Sequence, residues 1–271
     1  MFGRLTPVVK NLLLVNIGLF FISYFLFTFY KIDLTDFLGL HYIFSEKFLP
    51  FQIITFAFMH AFEQNGSLYF WHIFGNMFGL FIFGPILERF WGPKKFLLFY
   101  LVTGIGSGII FSAVEFIEIR PLQKQAQVYQ ENPNSEDFTS FVAENNIYQF
   151  YEFADLYGED PDNTQYAYKS GQMVQAFYRA KSNVPLVGAS GALFGILLAF
   201  AMLFPNTELM LLFLPIPIKA KYFVLFYGLY EAYALFQNSP TDNVAHLAHL
   251  GGMLIGFIML KMWQNQRNSF Y

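Results

Sequence analysis

The stretch VPLVGASGALFGILLAF, residues 184–200, passes within a few residues from a polar region into an uninterrupted apolar run. Ser190 sits at the point of change, flanked by Gly188, Ala189, Gly191 and Ala192. Such a run reads as a helix entering a membrane, with its first turn kept free of side-chain bulk around one hydroxyl. Gly191, Gly195 and Ala199 recur every fourth residue behind that serine, the spacing that lets membrane helices approach closely.

The rest of the chain agrees with a membrane reading. Of its 271 residues 55% are hydrophobic and only 13% charged, and the mean hydropathy is +0.40, too apolar for a domain clothed in charge. A spanning helix needs roughly 20 apolar residues. Six segments qualify, near 10–30, 68–90, 95–117, 188–204, 218–237 and 244–263, so the expected fold is an all-α, polytopic bundle of six transmembrane helices. The first segment is too long and aromatic for a signal peptide and lacks a small-x-small cleavage site. The chain has no cysteine, which excludes thiol nucleophiles and disulfides. Nothing in the sequence suggests a nucleic-acid partner.

Basic residues orient the bundle. With six alternating spans, Arg4, Lys10, Arg89, Lys94, Lys95, Lys219, Lys221, Lys261 and Arg267 fall on one side, expected to be cytoplasmic with both termini. The acidic residues of 31–67 and 118–187 fall on the other, and Ser190 starts its helix from there. Residues 118–187 are the one break in composition, rich in Gln, Asn, Glu, Asp and Tyr. They divide a membrane core of 1–117 and 188–271, and read either as an external cap of short helices or as an acidic loop. Pro215 and Pro217 in FLPIPIKAKY predict a turn before the fifth span.

Polar side chains inside a bilayer are costly, so each one is a functional candidate. The second span carries His72 and Asn76, one turn apart on one face. The sixth carries His246 and His249, and His249 shares a face with Gly252 and Gly256. Packing the small-residue stripes of the fourth and sixth spans together brings Ser190 and His249 to one depth. A serine hydroxyl needs a base within hydrogen-bond reach, and imidazole titrates near neutrality. His72, Asn76 and the free backbone N–H at the helix start can serve a developing oxyanion.

A carboxylate partner for the histidine is not expected. Glu88 lies about 24 Å along its helix from His72 and is expected to cap or pair at the inner surface. Glu231 is expected well below the outer end, and His246 near the surface. A Ser/His dyad is therefore the expected machinery. A three-histidine zinc site is the weaker reading because no carboxylate joins the set. His41 and His60 read as structural, and Trp71, Trp91 and Trp263 as interface anchors.

These residues resemble the motifs of the rhomboid family of intramembrane serine proteases. The second span matches the family pattern at His72, Asn76, Gly84, Glu88 and Gly92, the fourth matches GxSG at Gly188, Ser190 and Gly191, and the sixth matches at His249, Gly252 and Gly256. The resemblance covers the whole chain except 118–187. It implies a six-helix bundle in a plasma membrane of bacterial type, with an active site opening outward. Ser190 would be the nucleophile, His249 the base, and His72 with Asn76 the oxyanion site. It also implies Phe194 stacked on His249, entry of single-span membrane-protein substrates past the fifth helix, cleavage after a small residue, and no cofactor. Two features depart from the family pattern: the 31–67 loop has no Trp or Arg, and the connection between spans three and four is long. A catalytically inactive relative that binds membrane proteins is the alternative.

Overall fold

The computed structural model describes residues 5–64, 67–211, 214–237 and 244–268. In chain order its helices are α1 (Pro7–Tyr30), α2 (Leu34–Leu38), α3 (Gln52–Thr55), α4 (Trp71–Trp91), α5 (Pro93–Glu131), α6 (Ser135–Glu144), α7 (Tyr151–Glu159), α8 (Thr164–Ser182), α9 (Ser190–Leu203), α10 (Ala220–Gln237) and α11 (His246–Asn268). Two short antiparallel ribbons accompany them, β1 (Glu63–Gln64) with β2 (Ser67–Leu68) and β3 (Glu208–Leu211) with β4 (Leu214–Lys219). The chain divides into two compact units. One comprises residues 1–40, 49–112 and 185–271, the other 41–48 and 113–184.

The first unit is built around α9. Residues 191–197 are buried without exception, and the glycines explain how so many neighbours reach one helix. A Cβ on Gly252 of α11 would overlap the Gly191 carbonyl, and one on Gly256 would stand 3.2 Å from the Gly195 Cα. A Cβ on Gly191 would overlap the Ser107 hydroxyl of α5. The Ser107 and Thr103 hydroxyls bond back to carbonyls of their own helix, at 2.7 Å to Gly104 and 2.7 Å to Phe99, so neither presents an unmet polar group to the tight contact. From α4, Gly79 admits the Leu193 side chain.

α1 and α4 are tied end to end. The first-turn N–H groups of α1 have no partner within their own helix, and Val8 and Val9 donate to the two carboxylate oxygens of Glu88 at 3.1 and 2.9 Å. Glu88 thus caps, and its partners are the backbone of another helix. Its negative charge also meets the positive end of the α1 dipole. This places the start of α1 and the end of α4 at one level. Gly92, with φ +83°, then turns the chain directly into α5, a conformation an L side chain resists.

Among the described residues, four helices are long and apolar enough to cross a membrane: α1, α4, α5 and α11. The other two expected spans differ. α9 has 14 residues, about 21 Å at 1.5 Å per residue, because the segment before it is held as extended chain by backbone bonds at Leu186 and Gly188 rather than continuing the helix outward. α10 has 18 residues, and Lys221, Glu231 and four tyrosines dilute its hydropathy. The third expected span was bounded at 117, whereas α5 continues to Glu131. The predicted turn at Pro215 and Pro217 is instead strand β4, an edge position that tolerates proline.

The second unit is helical and has its own core. Asn134 and Asn163 cap α6 and α8, accepting from Asp137 N at 2.8 Å and from Gln165 N at 3.0 Å. Phe138, Val142, Tyr157 and Val174 are fully or almost fully buried together, and Phe138 meets Phe153 edge to face at 5.6 Å.

Candidate active site

The segment before α9 determines where Ser190 stands. Leu186 forms a two-way backbone bridge with Leu40, and Gly188 N–H donates to Phe56 O at 3.0 Å. The chain therefore approaches the helix extended and pinned. Gly188 has φ +134°, and a Cβ there would stand 3.1 Å from His72 Nε2 and 3.4 Å from Ser190 Oγ. The serine hydroxyl and the His72 ring nitrogen border one small volume, left open because residue 188 has no side chain. Ser190 is the first residue of α9, so its backbone N–H is one of the orphan donors of the helix.

On α4, Asn76 Nδ2 donates to the His72 carbonyl at 2.9 Å, which fixes the amide and leaves its second N–H for another acceptor. The His72 ring meets His60 edge to face at 5.2 Å. His60 is 1% exposed, and neither ring nitrogen has a full hydrogen bond. Burial pushes its pKa down to about 3, with repulsion from His72 adding and the Phe58 backbone only partly offsetting.

His249, buried in the first turn of α11, lies flat on Phe194, ring centroids 4.2 Å apart and planes 10° from parallel. Phe194 is one turn beyond Ser190, so the stack sets the imidazole beside the serine's own helix. The edge of the imidazole is held as well: Nδ1 lies 2.8 Å from Glu231 Oε2, at hydrogen-bond length. His246 Nδ1 is hydrogen-bonded to the same oxygen at 2.6 Å. All three side chains are buried.

Ser190, His72 and Gly188 thus gather at one point, with Asn76 one turn below and His249 stacked through Phe194. Gly191, Gly252 and Gly256 provide the close approach of α9 and α11. Two expectations are corrected. Glu231 is not remote from His249 but bonded to it, and His246 is not a surface group but shares that carboxylate. What differs is depth: α10 begins where the β3–β4 ribbon ends, and Glu231 lies eleven residues along it, about 17 Å from that end. An acid inside an apolar helix requires a partner, and that rule was the available signal.

The family model for the Rhomboid domain matches residues 49–117 and 166–265, more than half of the chain, including Ser190, His72, Asn76, Glu231, His246 and His249. The chain belongs to the rhomboid family, the family of intramembrane proteases, and is an integral membrane protein of all-α fold. Comparison with curated proteins yields no significant match, and comparison with solved structures yields none.

Proposed function

We propose that the chain is an active intramembrane serine endopeptidase. The observation that carries this reading is the convergence of Ser190 Oγ and His72 Nε2 on the space above Gly188, with His249 stacked on the helix that bears the serine. His249 Nε2 accepts the Ser190 proton as Oγ attacks a peptide carbonyl. The tetrahedral oxyanion is met by His72, Asn76 and the Ser190 backbone N–H. His249 then returns the proton to the leaving amine, and a water, activated by the same ring, hydrolyses the acyl-enzyme. No step calls on a cofactor.

Single-span membrane proteins are the substrates in this reading, cut after a small residue, as the resemblance to the rhomboid motifs implies. All six apolar helices cross a plasma membrane of bacterial type. Both termini are cytoplasmic, and the site opens on the outer side, where residues 118–187 form an external insertion. The motif set and the basic-residue distribution support that orientation.

The test is cleavage of a reporter single-span substrate by purified protein in detergent, with Ser190→Ala in parallel. Cleavage by the parent chain and none by the variant is expected, together with fluorophosphonate labelling lost on the same substitution. Equal cleavage by both would remove Ser190 from the chemistry. A chain that neither cleaves nor labels would be a binding member of the family.

A further inference from the structure

We propose that Glu231 is the positioning residue of the catalytic base, making the machinery a Ser190–His249–Glu231 relay in which His246 holds the carboxylate. The inference rests on the protease reading above. It begins from an energetic oddity: a carboxylate 2% exposed inside an apolar helix is costly unless paired and hydrogen-bonded.

The partners explain it. A neutral imidazole carries its proton on one nitrogen and a lone pair on the other. With Glu231 Oε2 at 2.8 Å from His249 Nδ1, the proton must be on Nδ1, since the opposite tautomer would set a lone pair against a carboxylate oxygen. The lone pair is then on Nε2, the form a base must have to accept from serine. When Ser190 Oγ gives its proton to Nε2, His249 becomes an imidazolium with Glu231 already beside it. The carboxylate stabilises that charge without taking the proton, and relaxes to the same bond when the proton passes to the leaving amine. Orientation is doubly determined, because Phe194 fixes the plane of the ring and Glu231 fixes its rotation within that plane.

His246 has a different part. Its Nδ1–H reaches the same oxygen at 2.6 Å, which locks the Glu231 rotamer and spreads its charge over a second donor. These distances argue against reading the three side chains as ligands of one ion. Donors at about 2.0–2.1 Å around a tetrahedral zinc stand roughly 3.3 Å from each other. The carboxylate oxygen is closer than that to both nitrogens, at hydrogen-bond length.

The test uses the full chain in detergent. For Glu231→Gln the expected result is a fall in kcat of about 100-fold with KM within about threefold of the parent, and slower fluorophosphonate labelling of Ser190. His246→Gln, which keeps the Glu231–His249 bond, should lose about tenfold or less. Nitrogen-15 spectra of the histidine-labelled parent protein should show His249 protonated on Nδ1. That observation requires no variant and therefore stands even if Glu231→Gln fails to fold. A Glu231→Gln enzyme with kcat within threefold of the parent, or a parent His249 protonated on Nε2 alone, would overturn the proposal. Failure of the parent itself to label at Ser190 would overturn the protease reading and this one with it, whereas labelling of parent and Glu231→Gln at equal rates would overturn only this one.

Discussion

Ser190, His72 and His249 each do something that depends on a residue with no chemistry of its own. Gly188 lends the volume that the serine and His72 share, and Phe194 is the surface on which the His249 ring lies flat. His60 is a further case, a buried imidazole against His72 whose pKa is pushed down to about 3. The sign follows from that depression. The folded protein holds His60 neutral and the unfolded chain protonates it near 6.5, so its stabilisation is complete above about pH 6.5 and is lost as pH falls toward 3. In detergent, the loss of Tm between pH 7 and pH 4.5 should be smaller for His60→Leu than for the parent by about 5 °C. Parallel pH dependences for the two proteins would show that His60 does not titrate on unfolding.

At the scale of the helix, contact between α9 and α11 is set by backbone against backbone. A methyl group at Gly252 has to displace the Gly191 carbonyl, whereas one at Gly75 of α4 meets nothing within 4 Å. Gly252→Ala should therefore destabilise by about 1–3 kcal/mol through overpacking and lower activity with it, because α9 carries Ser190 and α11 carries His249, the proposed nucleophile and base. Gly75→Ala should be neutral or gain up to about 1 kcal/mol from helix propensity. Thermal unfolding of the two variants side by side, with cleavage rates, checks both. An unaffected Gly252→Ala would mean the helices can separate by a methyl radius without cost. The Glu88 cap on α1 belongs to the same scale, since it joins two helices by backbone donors no surface cation could replace.

For the molecule as a whole, the division into two units has a consequence. The unit of residues 41–48 and 113–184 has its own aromatic core, and Phe138 at its centre is fully buried. Phe138→Ala should cost that unit about 3–5 kcal/mol and make 132–165 sensitive to protease, while fluorophosphonate labelling of Ser190 keeps the parent rate. Loss of labelling together with proteolysis would show that the units fold as one. The Rhomboid domain match omits 118–165, which lie within this unit. Replacing 125–180 by a short linker, and comparing several substrates, would show whether the unit selects among them. Unchanged cleavage of all would exclude that role.

The membrane class, the family and the glycine-lined serine were legible in the sequence because each depends on local order: runs of apolar residues, fourfold spacing of small ones, and motifs whose members lie a turn apart. The stacking of His249 on Phe194 was legible only through the family resemblance. What the tertiary structure alone decided is which partners distant residues find. Glu88 meets Val8 and Val9, and Glu231 meets both His246 and His249, pairings across 80, 79, 15 and 18 residues. A buried carboxylate announces in the sequence that it must be satisfied, but the donor that satisfies it depends on which helices pack together and which way each one runs.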